Sequence, residues 1–381
     1  MDRMLLSRKA EEEQKVNFEL NEDEEMLKAV VERFVADRYD VERRRSYLNE
    51  EAGYSADNWS VLAELGVLAV PFSDEDGGLG LDATALSVIF QALGAGIVVE
   101  PVLESAILPG LYIAAGLAGD LRDDWVAGLI SGERRVAMAR QEMTLRDPAL
   151  PRETTVRSNG DDVTIEGEKA YAIAGGMADG FIVSAIGEDG VEALFLIPAD
   201  AEGLDTREWR LADGSFTASL TLEGVTIPAS NRLAIDDADQ QRIETLASLA
   251  RSSEALGIMG AMFNETLEYL RTREQFGMPL GKFQAVQHRM AGQYALLEQS
   301  RALIELAVVS ENSPEFAANT DGARAFIAEN ALELGHEMIQ LHGGMGVTDE
   351  LAIGQGHKRL LVLSRWPEAP LVTLDRYAGA L

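Results

Sequence analysis

The order of hydrophobic periods along the chain is the strongest constraint on what it can fold into. NEDEEMLKAVVERFVADRYDVERRRSYL (21–48) repeats apolar residues at three- and four-residue spacing, with Asn21 as an N-cap ahead of acids. The helical period continues through SADNWSVLAELGVLAV, ATALSVIFQALGAGIVV and ESAILPGLYIAAGLAG. The last two are apolar nearly all round, so they are expected to be buried against other helices. From about residue 134 the pattern changes to short runs rich in Val, Ile, Thr and Tyr: RRVAMARQEM, DVTIEGEKAYAIA, GFIVSAIG, EALFLIPAD and ASLTLEGVTIP. Turn signals separate them, SNGDD, GEDG and ADG among them. From about residue 239 the helical period returns and persists almost to the end. There are no alternating βα units and no internal repeat. The order predicts a mainly α fold with an inserted β domain: an N-terminal helical domain over 1–133, a middle β domain over 134–238 and a C-terminal helical domain over 239–381.

Composition narrows the function. The chain of 381 residues has no cysteine, which excludes disulfides, iron–sulfur clusters, zinc–thiolate sites and thiol nucleophiles. Its net charge of −31 repels nucleic-acid phosphates over the whole surface. An anionic small molecule binds such a chain only where a local arginine and backbone N–H groups outweigh the general field. No apolar run is long enough for a membrane span. MDRMLLSRKAEEEQKVNFEL carries acids and lacks a long apolar region, so a cytoplasmic protein is expected.

Two motifs read better as ordinary structure. Gly78-x-Gly80-x-x-Ala83, with Glu100 further on, imitates a dinucleotide fingerprint. Pro71 to Asp76 separates it from the preceding apolar run, and three acids stand where a pyrophosphate belongs, so a plain turn is expected. HEMIQLH (336–342) imitates a zinc motif, but its second histidine falls at i+6 and leaves the first one's helical face. No metal site is expected.

A third stretch is harder to dismiss. RTREQFGMPLGKFQAVQHRMA (271–291) puts Arg273 before a Phe276-Gly277 break, where its guanidinium can pair with a phosphate. Gln284 follows on the next helix. Gln340-Leu341-His342-Gly343-Gly344 ends a helix on glycines that let a ligand approach the backbone. A surface arginine and a glycine C-cap explain the same residues equally well.

These stretches, with LAELGVLAVPFSDEDGGLGLD, GEKAYAIAGGMAD and IQLHGGMGVTDE, resemble the acyl-CoA dehydrogenase family over essentially the whole chain. The resemblance implies a helical body enclosing a β-barrel domain, assembled as a homo- or heterotetramer with FAD at subunit interfaces. It implies that Arg273 meets the FAD pyrophosphate of a neighbouring subunit, that Phe276, Leu280 and Gln284 line the same cofactor, and that Gln340, Leu341, Gly343 and Gly344 hold its adenylate half. The implied reaction is α,β-dehydrogenation of an acyl-CoA, with an electron-transfer flavoprotein as acceptor. A carboxylate removes the α-proton, and a desolvated glutamate tuned upward suits that task.

The match thins at the reacting centre. The family's usual base position falls at Pro367, with Glu368 one place on. Its alternative position falls on Ala247, with Glu244 and Glu254 a turn or two away. The flavin-ring strands read Gln141-Glu142-Met143 and Tyr171-Ala172-Ile173; Tyr171 can stack on a ring, but Ile173 has no hydroxyl. Two readings follow: a working dehydrogenase using Glu368, or a non-catalytic partner subunit that lends its adenylate-side contacts to a heteromeric enzyme acting on bulky steroid-like or dicarboxylic substrates.

Overall fold

A computed structural model of the chain describes residues 20–142 and 153–380. The chain opens on helices α1 (Glu22–Arg38), α2 (Val41–Leu48), α3 (Ala56–Glu64) and α4 (Ala83–Ala95). A π-turn, Leu103–Ile107, runs directly into α5 (Leu108–Gly116), and α6 (Gly119–Ile130) follows. Helix α1 starts at Asn21, as its sequence requires. The Asn21 side chain accepts the Glu24 N–H at 2.9 Å, and the Glu24 carboxylate accepts the Asn21 N–H at 2.7 Å.

The glycine-rich stretch before α4 is a turn. Gly77 and Gly80 take φ of +80° and +59°, and a Cβ at Gly78 would collide with the Phe72 carbonyl. Asp82 caps the Thr84 and Ala85 N–H groups while Glu311 takes that of Ala83. Carboxylates thus fill the helix N-terminus that a pyrophosphate would need.

Eight strands form the middle of the chain: β1 (Val136–Ala139), β2 (Thr155–Asn159), β3 (Asp162–Ile173), β4 (Gly180–Ile186), β5 (Glu192–Pro198), β6 (Leu204–Arg210), β7 (Phe216–Pro228) and β8 (Arg232–Leu233). They form one sheet in the order β6-β7-β3-β2-β4-β5-β8, with β1 parallel to β4 from Val136↔Gly180 to Ala139↔Val183. Period-two alternation divides the two faces. Phe181, Val183, Phe195, Ile197, Leu220 and Ile227 share an inner core, so the sheet curls back on itself. Val136, Met138, Ile182, Leu194 and Leu196 face the other way and join the helical core. No ladder among the described residues joins β6 to β8, so the expected barrel is a curled sheet with two edges.

Helix α7 (Asp237–Thr272) is 36 residues, about 54 Å, and forms the spine of the C-terminal part. It crosses α4 almost backbone to backbone. A Cβ at Gly94 would strike the Glu254 carbonyl, and one at Gly257 the Gln91 carbonyl. A two-stranded hairpin, β9 (Glu274–Gln275) and β10 (Met278–Pro279), leads to α8 (Gln284–Val309), α9 (Phe316–His342), α10 (Ala352–Arg365) and α11 (Pro370–Ala380). No helix among the described residues is long and apolar enough to cross a membrane.

A buried polar network ties the three parts together. Arg44 on α2 donates to the Ile97 carbonyl at 2.8 Å and to Gln355 Oε1 on α10 at 3.0 Å. Arg359 on α10 pairs with Glu254 on α7 at 2.6 and 3.0 Å, and with Asp213, in the β6–β7 turn, at 3.0 Å.

Candidate functional site

Helix α7 stops where Arg273 turns extended, its N–H still bonded to the Tyr269 carbonyl at 2.8 Å. The turn between β9 and β10 is Phe276-Gly277, with φ of +55° and +84°. Positive φ at both central residues defines a type I′ turn, whose twist suits a two-residue hairpin. Glycine takes that conformation freely, whereas phenylalanine does so under strain. The Phe276 side chain is nevertheless 88% exposed and meets its own chain only edge-on, at Phe283, 6.2 Å between ring centres. Arg273 is exposed and carries no ion pair among the described residues. Leu280 packs partly on the helical core, and Gln284 opens α8 exposed to solvent.

The second motif lies beside the first. Gln340 is exposed near the end of α9 and Leu341 is buried. His342 stacks on Tyr269 at 4.4 Å and 23°, and Tyr269 lies one helical turn before Arg273. That stack ties the end of α9 to the end of α7. Beyond it, Gly343 (φ +62°) and Gly344 have nothing within 4 Å of an added Cβ, so their backbone is open to a ligand. His336, the other histidine of HEMIQLH, faces His357 instead, 4.6 Å between rings.

Gln141 and Tyr171 lie on the sheet. The Gln141 carbonyl accepts the Ala170 N–H at 2.8 Å, and its side-chain amide donates to the Pro367 carbonyl at 3.2 Å. Tyr171 stands in an irregularity of β3 with φ +56°, is 41% exposed and packs edge-on against Trp209. Ile173 is buried, and Met143 lies outside the described residues. Glu142 is buried against Lys169 at 2.6 Å. Burial pushes its carboxyl up, but the Glu153 N–H and Lys169 outweigh that and leave it below the usual range.

Three acids surround the family's base positions, and all are paired. Glu368 accepts from Thr373 Oγ1 at 2.8 Å and pairs with Arg376 at 2.7 Å. Burial pushes its carboxyl up, but the bonds from Arg376 and Thr373, with the charges of Arg376 and Arg324, leave it below the ordinary range. This is opposite in direction to the upward tuning the reaction calls for. Glu244 takes the Tyr112 hydroxyl at 2.6 Å and Arg140 at 2.8 Å, and Glu254 is held by Arg359. Ala247 is buried and supplies no acid.

Sequence reading missed one further pair. Arg251 donates to Glu104 through two nitrogens at 2.8 and 3.1 Å, and Trp366 Nε1 donates to the same carboxylate at 3.3 Å. Arg324 braces this corner by donating to the carbonyls of Leu363 and Trp366. The available signal was Arg251-Ser252-Ser253-Glu254, four consecutive polar residues that interrupt a helix otherwise reading as core; all four are buried.

A helical body around a curled sheet, with an exposed arginine hairpin beside a glycine-ended helix, defines a class of ligand-binding enzyme scaffold. Comparison with known proteins narrows it. Residues 21–133 match the acyl-CoA dehydrogenase N-terminal domain and residues 245–366 the acyl-CoA dehydrogenase C-terminal domain. The rat mitochondrial short-chain specific acyl-CoA dehydrogenase is 28% identical, covering 80% of this chain and 77% of its own. Among solved structures, the Tcur3481-Tcur3483 steroid ACAD superposes with TM-score 0.85 at 29% identity, covering 94% of this chain and 97% of that one. The ChsE4-ChsE5 complex from Mycobacterium tuberculosis does so with TM-score 0.86 at 25% identity, covering 95% and 98%. The chain belongs to the acyl-CoA dehydrogenase family. It is an oxidoreductase of that class, and the comparisons favour the dehydrogenase over the non-catalytic partner.

Proposed function

We propose that this chain dehydrogenates an acyl-CoA thioester between its α and β carbons, using FAD clasped at a protomer boundary within a tetramer of one or two chain types. The observation that carries this reading is the outward-facing corner where α7 and α9 end. Arg273 is unpaired there, Phe276 is held strained and exposed, and the Gly343-Gly344 backbone is bare. In a chain of net charge −31, an exposed arginine without a carboxylate beside it suits a diphosphate.

In this reading Arg273 neutralises the FAD diphosphate while Phe276, Leu280 and Gln284 pack along the same group. Gln340, Leu341, Gly343 and Gly344 receive the adenylate end. Tyr171 offers an exposed aromatic face to the flat ring, and Gln141 spans from that side to the Pro367 carbonyl. FAD, when bound, supplies a hydride acceptor, and an electron-transfer flavoprotein takes the electrons onward. Glu368 is the base, and it takes up the α-proton only after Arg376 moves off its carboxylate, because the ion pair makes it a weak base at rest.

The test is a visible spectrum of the purified chain before and after anaerobic addition of an acyl-CoA. A flavin band that bleaches is expected. Arg273→Gln should lower flavin retention at least tenfold without loss of fold, and Glu368→Gln should keep flavin but slow bleaching by two or more orders of magnitude. Full flavin retention in the first variant removes Arg273 from the cofactor site, and bleaching at the native rate in the second removes Glu368 as base.

A further inference from the structure

We propose that the Glu104–Arg251 ion pair is the floor of the acyl chamber and restricts this dehydrogenase to short acyl groups. The inference rests on the site just described and deepens it to a substrate class. The pair lies between the two places where the family puts its catalytic carboxylate. On α7, Arg251 follows Ala247 by one turn and so shares its face. On the other side, the indole of Trp366 is bonded directly to Glu104, and Pro367 and Glu368 come next in the chain. An acyl tail reaching inward from a thioester held between those positions meets this carboxylate and guanidinium first.

The pair does not step aside easily. Arg251 is 3% exposed and Glu104 8%, and three donor groups already converge on the Glu104 carboxylate. Their surroundings include Phe90, Leu93, Val102 and Leu103. Parting the two would leave each charge desolvated with no partner of comparable strength. The glutamate is placed by the π-turn Leu103–Ile107, whose widened backbone interrupts the helical register just before α5.

Beyond the pair there is no room for a chain of methylenes. The cavity lined by Leu93, Leu103, Glu104, Glu254 and Arg359 has a volume of about 30 Å³, roughly one water's share of the liquid. Its far wall is the second buried ion pair, Arg359–Glu254. A longer tail would have to lie against two sets of charges instead of apolar side chains.

The experiment uses flavin-loaded enzyme with butyryl-, octanoyl- and dodecanoyl-CoA, recording calorimetric binding and the rate of flavin bleaching for each. The expected result is at least tenfold better kcat/KM for butyryl-CoA than for octanoyl-CoA, with dodecanoyl-CoA poorer still. Replacing both charges at once, Glu104→Leu with Arg251→Met, should raise the octanoyl-to-butyryl ratio at least tenfold and tighten octanoyl-CoA binding. Equal use of the three thioesters by the native enzyme overturns this inference alone and leaves the dehydrogenase reading standing. An unchanged ratio in a folded double variant also overturns it. Failure of all three to bind or bleach overturns the dehydrogenase reading, and this one with it. If the double variant does not fold, the native chain-length series decides.

Discussion

His357 shows how one side chain fixes a response of the fold. Its Nδ1 is buried without a hydrogen-bond partner, and its ring lies so close to Gly335 that a Cβ there would collide with it. Burial, and secondarily the neighbouring His336, hold its imidazole below the usual value. The unfolded chain protonates this histidine near pH 6.5 while the folded one resists, so the unfolded state binds more protons as pH falls below that value. Stability is therefore present above about pH 6.5 and is lost progressively below it. In His357→Gln, the drop in unfolding free energy between pH 7.5 and 5.5, measured by urea titration, should be smaller than in the native chain. Nothing in the sequence marks His357 in this way. Asn21, by contrast, was legible because its partner Glu24 is three residues off, in the pattern of a capping box.

At the scale of elements, legibility follows locality. The helices, the Phe276-Gly277 reversal and the glycine turn before α4 depend on neighbours a few positions away, and the sequence states them. The π-turn, the irregularity that turns Tyr171 outward and the two free edges of the sheet depend on packing between distant segments, which no local period reports. The α4–α7 crossing belongs to the second kind. Gly94 and Gly257 read as weak points in helical patterns, yet each receives the backbone of the other helix. Gly257→Ala should push the helices apart and cost about 1–3 kcal/mol or more, despite alanine's better helix propensity. Gly260→Ala, on the same helix with open space around it, should be neutral or mildly stabilising. Denaturant midpoints of the two variants provide the comparison.

For the whole molecule, the fold class was legible from the change of period, while the joints between its parts were not. Arg44 reaches a glutamine 311 positions away, and Arg359 an aspartate 146 away. Because that network is buried, the sheet and the two helical parts should unfold in a single calorimetric transition. Asp213→Ala should lower the stability by about 3 kcal/mol and broaden or split that transition, since Arg359 loses its tie to the sheet. The Glu104–Arg251 contact has a historical consequence of the same kind. Neither residue can be exchanged first without stranding the other's charge in the interior. A lineage that alters this spot must pass through a frailer ancestor or change both codons together, so two positions 147 residues apart are inherited as one trait.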